Sequence, residues 1–502
     1  MREAPLTTPQ PQQYYAAVDL GSNSFHLMVV RVVHGCIHIV GKVKQKVRLA
    51  AGLDEEFQLD DLSMERGWKC LEAFAERLQD IPAANIQVVA TATLRLARNA
   101  EQFIQKAERI LGHPIRVISG EEEAKQIYLG VAYTSANQGN SLVIDIGGAS
   151  TEVILGTGFS PKQLVSLNMG CVTFMERFFP DGVLSQQNFA VAQQAARALL
   201  APVADQFTCF EWRQCLGASG TPQAITEILV AQDINDTIRL SYLDKLMQQC
   251  IDCGSLDALS IEGLSEARKP VFASGLAILR VLFELLGIQQ MQIAGGALRE
   301  GLLYGMLENI HHNDIRQRTL DALVERFHIE EAQAHRVVET ALMLYQQLPH
   351  NDIHCQLDAE AVLVAAAKLH EIGLHIDFKH SHQHGNYILS HISMPGFTKL
   401  QQECICALVG SHRQDIDQSA FGAFQQEVKV VLQDLCKVLR IAHVLCIRRK
   451  DHLLPPIQLG VETEGLRLGF PDGWLKKHPL LDAELANEKW LQYKAGWALN
   501  IE

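Results

Sequence analysis

Two stretches of this chain carry the same uncommon pattern. "AAVDLGSNSFHLMVV" (16–30) and "LVIDIGGASTEVIL" (142–155) each run an apolar strand into an aspartate, then a turn of glycine and hydroxyl residues, then a second apolar strand. A single Asp-x-Gly is an ordinary β-turn. Its return in a matched strand-turn-strand setting points to an internal duplication. The elements after each copy repeat as well. After the first come strands at 15–20, 24–33 and 36–50, with His34-Gly35 as a hairpin turn. A helix with Ser63 as N-cap, the short strand "IQVVATAT", the helix "NAEQFIQKAERILG" ended by Gly112 and the strand "IRVIS" complete that half. After the second come "STEVILG", "KQLVSLNMG", and helices alternating with "CLGAS" and "MQIAGG". The order predicts two similar α/β halves. Their turns, at Asp19 and Asp145, would leave equivalent strand ends and meet across one cleft, where α/β sheets usually hold a ligand.

Beyond about residue 311 the period changes to that of helices, and from about Pro456 "IQLGVETEGLRLGF" alternates around a turn, the mark of a small α+β appendage. The domains are placed at 13–135, 136–312, 313–456 and 457–502, consistent with a 502-residue chain too long for one core. "VFASGLAILRVLFELLG" is interrupted by Arg280 and Glu284, so no membrane span is expected. The opening "MREAPLTTPQPQQ" has no apolar h-region and reads as a loose tail, which gives a cytoplasmic expectation. A net charge of -13 argues against non-specific nucleic-acid binding. An anionic ligand must therefore be received locally, by backbone N–H groups, a few arginines and a metal ion. The twelve cysteines hold one CxxC, Cys250 with Cys253, and no second pair at zinc spacing, which favours reduced structural thiols.

The turns suit phosphate. Gly21, Gly147 and Gly148 leave their N–H groups unobstructed, and Ser22, Ser24, Ser150 and Thr151 add hydroxyl donors. A third turn, "IAGGALREG" (293–301), strengthens the case.

The set "VDLGSNSF", "IDIGGAST" and "AGGALREG" resembles the phosphate-binding segments of the actin, Hsp70 and sugar-kinase superfamily, with its duplicated ribonuclease H-like halves. Through "TATLRLARNA", "VISGEEEA", "GASGT" and "MGCVTF" nearly the whole chain resembles the exopolyphosphatase and guanosine pentaphosphate phosphatase family. "GGAST" and "SLNMGCVT" are what the guanosine-pentaphosphate subgroup is expected to read. The resemblance implies a Mg²⁺-assisted hydrolase. It would remove the 5′-terminal phosphate of guanosine pentaphosphate (pppGpp) to give ppGpp, the alarmone of the stringent response, with polyphosphate as the nearest alternative substrate. A small-molecule kinase and a non-enzymatic nucleotide switch are remoter alternatives on the same scaffold. Carried onto this sequence, the resemblance makes Glu123 the group that orients or deprotonates water, with Arg95 offsetting phosphate charge. Asp145 and Glu152 would hold hydrated Mg²⁺. Asp19, Gly21, Ser22, Asn23, Ser24, Gly147, Gly148, Ser150, Thr151, Gly295, Gly296 and Arg299 would form the phosphate cradle. A homodimer is implied as well.

Some residues keep two readings. Glu121, Glu122 and Glu123 also suit the solvated first turn of a helix, where carboxylates meet the dipole. Arg95 also suits a surface ion pair. Lys42, Lys44, Lys46 and Arg48 recur at period two, which fits either a face receiving a polyphosphorylated ligand or an edge strand guarded against aggregation. Arg448, Arg449 and Lys450 pose the same choice. In the helical half, rich in histidine (His370, His375, His380, His382, His384, His391, His412), "KLHEIGLHID" resembles the His-Asp doublet of HD-type metal phosphohydrolases. Glu371 replaces the aspartate, however, and its longer side chain would displace a bimetal ligand. A retained HD-like fold without its own metal centre is expected, walling the cleft and helping the chain dimerise.

Overall fold

The computed structural model of the chain describes residues 13–33, 36–54, 56–135, 139–307, 315–349, 357–451, 454–462 and 465–502. The turn expected at His34-Gly35, nearly all of the leading tail and the proposed domain junctions at 136 and 313 lie outside the described residues. The chain divides into two compact units, residues 1–315 and 316–502.

The first unit holds two sheets of matching topology. In one, β1 (Tyr14–Leu20), β2 (Ser24–Val33), β3 (Cys36–Lys46), β4 (Ile86–Ala90) and β5 (Arg116–Val117) take the order β3-β2-β1-β4-β5. In the other, β6 (Asn140–Ile146), β7 (Thr151–Thr157), β8 (Ser160–Leu167), β9 (Gln214–Gly217) and β10 (Gln292–Ile293) take the order β8-β7-β6-β9-β10, read from the same end. The hairpin strands pair antiparallel and the later strands join parallel through helical crossovers, as short turns and long connections respectively require. The helices are α1 (Asp61–Leu78), α2 (Ala92–Leu96), α3 (Ala100–Leu111), α4 (Gly120–Thr134), α5 (Cys171–Phe178), α6 (Gln186–Thr208), α7 (Gly220–Ala231), α8 (Leu240–Cys253), α9 (Lys269–Leu286) and α10 (Leu298–Met306). The duplication read from the sequence is thus present strand for strand.

Between the sheets run α4 and α10. Met28 and Val30 from one sheet and Val143 and Ile154 from the other share a core with Ile127, Tyr128, Leu302 and Leu303. The two helices cross so closely that a Cβ on Gly130 would stand 1.9 Å from the Ala297 carbonyl oxygen. This layer fixes the ends of β1 and β6 relative to Glu123, at the start of α4.

Local differences from expectation have simple causes. The cap of α1 is Asp60, which accepts from the Ser63 N–H at 2.5 Å, whereas Ser63 itself is buried against Gly52. Two cap-forming residues three apart cannot be ranked by spacing alone. The third strand stops at Lys46, because Arg48 takes a left-handed backbone (φ 53°) that no strand continues. Arg48 therefore leaves the lysine face.

The second unit packs helices Glu331–Tyr345, Ala359–Leu369, Ser381–His391, Lys399–Ser411 and Gln426–Leu445 with a three-stranded sheet, Gln458–Glu462, Gly465–Gly469 and Ala498–Ile501, and the helix Pro479–Lys494. The α+β tail is present, but it is not separate: Leu459, Leu468, Leu485 and Leu499 share one core with Leu363, Leu408 and Leu435. The described cysteines are free thiols. Among the described residues no helix is long and apolar enough to cross a membrane.

Candidate functional site

The two glycine turns touch. A Cβ built on Gly148 would lie 2.8 Å from Ser22 Cβ and 3.1 Å from Asn23 N, so the first turn can approach only because residue 148 has no side chain. In the first turn the carbonyls of Ser22 and Asn23 accept from Ala50 and Arg48 N–H, at 2.9 Å each. In the second the carbonyls of Gly147 and Gly148 accept from Cys171 and Val172 N–H, again at 2.9 Å each. Both turns are braced from behind through their carbonyls. Ser22, Ser24 and Ser150 are buried beside them, and the Ser24 hydroxyl has no partner among the described residues.

Cross-strand register then sets what stands beside each aspartate. In the first sheet Asp19 faces His26, and His26 faces Lys44. In the second, Asp145 faces Glu152, and Glu152 faces Ser166. The Asp19 carboxyl is pushed up to about 6, chiefly by desolvation, with Arg299 pulling it back. The Asp145 carboxyl is pushed up to about 8 by desolvation and then by Glu152 and Asp19, although the Ser219 hydroxyl bonds it. Glu152 is 1% exposed and raised by burial, against hydrogen bonds from Ser166 (2.7 Å) and Ser150.

Glu123 completes the set. Ser119 caps α4 by accepting from Glu122 N–H, and the helix phase then buries Glu123 while Glu121 and Glu122 stay outside. The solvated-turn reading fits Glu121 and Glu122, the latter paired with Arg116, but not Glu123. Burial first, then Glu152, holds the Glu123 carboxyl well above its ordinary range. Arg95 is no detached surface pair: its Nη1 bonds the Ile118 carbonyl at 2.8 Å and Glu123 Oε2 at 3.3 Å. Glu123 is raised by Glu152, Asp19 and Asp145, and Asp145 in turn by Glu152 and Asp19.

Opposite these acids is a group of cations that sequence reasoning only half finds. Arg299 Nη1 donates to His26 Nδ1 at 2.6 Å. Burial, followed by Arg299, Lys44, Arg268 and Lys42, drives His26 down to about 2, so it is a neutral acceptor. The Lys44 ammonium is lowered by desolvation, then by Arg268 and Arg299. Lys46 donates to the Ala267 carbonyl. Strand β3 is indeed an edge strand, yet its lysines also face the second half. His26, Arg268, Ser166 and Ser219 are missed by the sequence patterns. The hairpin register would have given His26; Arg268 comes from "SEARKP", which has no telling pattern.

Three expected cradle residues have packing or hydrogen-bond partners of their own. The Thr151 hydroxyl donates to the Met169 carbonyl at 2.5 Å inside the core, so it braces β7 instead of offering a donor to the cleft. Gly295 and Gly296 are needed for packing: added Cβ atoms would each lie 2.8 Å from Thr134 oxygens, at the end of α4 remote from Glu123. The Gly295 N–H is bonded to Ser135 Oγ at 3.2 Å. Of that third segment, Arg299 is the residue brought to the acids.

In the second unit His370 and His412 are buried, each with Nδ1 2.7 Å from a carbonyl oxygen of its own helix. Glu371, at the doublet's acidic position, is clasped by both Nη atoms of Arg449, an ion pair that neither reading of that arginine anticipated. Among the described residues no three His, Cys, Asp or Glu side chains are placed to hold a metal ion by themselves.

Two halves with touching turns, a buried acid at a helix start and a carboxylate pair on neighbouring strands of one sheet define a phosphate-handling enzyme of the actin-like fold, and similarity to known proteins agrees. Residues 28–310 match the Ppx/GppA phosphatase family and residues 315–489 match Ppx/GppA phosphatase, domain III; the chain belongs to this family. It is 63% identical to the guanosine-5′-triphosphate,3′-diphosphate pyrophosphatase of Pseudoalteromonas atlantica, over 99% of each chain. To the protein of the same name from Aeromonas hydrophila it is 49% identical, over 97% of this chain and 98% of that one. An exopolyphosphatase from Cytophaga hutchinsonii has the same fold over 60% of this chain and 99% of its own, with a TM-score of 0.55 at 22% identity.

Proposed function

We infer that this chain is a phosphohydrolase that removes the 5′-terminal phosphate of guanosine pentaphosphate to give ppGpp, by attack of water on the terminal phosphoanhydride. The observation that carries the inference is the position of Glu123, buried against Arg95 and electrostatically coupled to the carboxylates at both turns. An acid placed there suits water as nucleophile, where a kinase would need a second substrate instead. With its basicity raised by burial, Glu123 accepts a proton from water near neutral pH more readily than an exposed glutamate. Water oxygen then bonds to the terminal phosphorus, the bridging P–O bond breaks, and orthophosphate and the tetraphosphate leave. The Gly147 N–H is spent inside its own turn, donating to the Ser150 carbonyl at 2.9 Å; the other peptide N–H groups of the two turns, with the Ser22, Ser24 and Ser150 hydroxyls, would hold the terminal phosphate in place. Arg95 offsets its charge.

The residues fit Mg²⁺. Asp145 and Glu152 are adjacent on paired strands, desolvated and mutually repelling, a condition that a cation between them would relieve. Two carboxylates, with water and phosphate oxygens for the rest, are what this ion usually takes from a protein. Bound there, it would neutralise charge developing on the phosphates.

Arg299, Arg268, Lys44 and Lys42 crowd together against their mutual repulsion, which supports a substrate carrying several further negative charges. Both guanosine pentaphosphate and polyphosphate meet that description, and the lysine-bearing edge strand keeps the second alive. Rates on the two substrates at equal enzyme concentration decide between them; much faster cleavage of polyphosphate would reverse the assignment. A ppGpp product supports a role in the stringent response and a cytoplasmic location, and the family resemblance supports a homodimer, to be checked by light scattering.

A further inference from the structure

Ser166 stands next to Glu152 on the rung, and it touches two parts of the site at once. Its hydroxyl lies 2.7 Å from Glu152 Oε1. On its other side a Cβ added to Gly120 would fall 2.5 Å from Ser166 Cβ and 2.7 Å from its Oγ, so position 120 admits only hydrogen. Gly120 opens α4, three residues before Glu123. One hydroxymethyl group thus separates the strand bearing Glu152 from the helix bearing Glu123. Packing alone does not require the hydroxyl, since alanine is smaller and would fit. The oxygen is explained by the carboxylate: a buried Glu152 that is to meet a hard cation must be aimed, and an outer hydrogen bond does that.

We propose that Ser166 is a positioning residue that fixes the Glu152 carboxylate for cation binding and holds it at a set distance from the first turn of α4. It rests on the reading of Glu152 as a cation ligand. Its partner in the duplication is Lys44, which holds the equivalent place beside His26, so the second half has a neutral donor where the first has a charged one.

The test uses the full chain and Mn²⁺ as probe, counting free ion by electron paramagnetic resonance without substrate. Wild type binds, Glu152→Gln loses binding, and Ser166→Ala binds about ten-fold more weakly, with its thermal transition little changed. Ser166→Cys, which keeps the size with a weaker donor, falls between. In turnover, raising Mg²⁺ restores kcat in Ser166→Ala but not in Glu152→Gln, and KM for nucleotide stays constant; a packing role alone would give no such rescue. Ser166→Ala binding Mn²⁺ as tightly as wild type, while Glu152→Gln does not bind, overturns the role of Ser166 alone. A wild type that binds no Mn²⁺ overturns the cation reading and this proposal with it.

Discussion

The two halves of the first unit are built to one plan and charged in opposite senses. Across equivalent strands one rung reads Asp19, His26, Lys44 and the other Asp145, Glu152, Ser166. Backbone and turn are the same, yet the first aspartate, with Arg299 beside it, is raised only to about 6, while the second, with Glu152 beside it, reaches about 8. Duplication supplied the geometry, and divergence at two cross-strand positions supplied a cation side and an anion side. A substrate of several phosphates suits both: positive groups along its length and, on the proposed reading, carboxylates that would gather a metal at the bond to be broken.

The comparison has a centre, Glu123, which belongs to neither rung, and removing it should cost most. Glu123→Gln is expected to lower kcat about 10³-fold with KM for guanosine pentaphosphate within about two-fold, by steady-state assay; a small loss would move the water-activating role elsewhere. Making the second rung like the first, Glu152→His, should cost about 100-fold at limiting Mg²⁺, because the pair that attracts the cation is broken. Gly148→Ala, which drives a methyl into Ser22 and Asn23, should cost about ten-fold in kcat/KM, equivalent to roughly 1.4 kcal/mol. Making the first rung like the second, Lys44→Ser, should raise KM several-fold, about 1 kcal/mol in binding, and flatten its salt dependence, with kcat kept. If Lys44→Ser and Glu152→His instead altered the same parameter, the division of labour between halves would be wrong.

The smallest effect is on stability. Both aspartates have folded pKa values above the ordinary 3.8, so the stability they contribute is fully present below pH 3.8 and lost as pH rises through about 6 for Asp19 and about 8 for Asp145. The metal-free chain should therefore melt lower at pH 8 than at pH 5, and added Mg²⁺ should raise Tm more at pH 8, where protons no longer compete. Asp145→Asn should raise the metal-free Tm at pH 8 by about 2–4 °C and reduce the pH response, as scanning calorimetry would record.

The fold was legible because apolar period and turn chemistry repeat in both halves, and a pattern seen twice is hard to mistake. Asp19, Asp145 and the glycines between the strands were legible for the same reason. Glu123 was separated from its two neighbours by resemblance, and helix phase, fixed by the Ser119 cap, supplies the physical reason. The rungs were hidden, since cross-strand partners depend on register, and β2 against β3 carries a shift between Val29 and Val30. Thr151, Gly295 and Gly296 have packing partners that their pattern did not announce, because small and hydroxyl-bearing residues serve tight packing as well as phosphate. The α+β tail was seen, but its merger into the helical core depends on contacts far apart in sequence.

The bare main chain at Gly148 has one more implication. The halves meet there through main chain, as they do through the α4–α10 layer, so any movement of one half against the other must keep both contacts. Atoms beside such contacts travel least, so the two touching turns would stay in step with each other whatever the outer parts of the halves do.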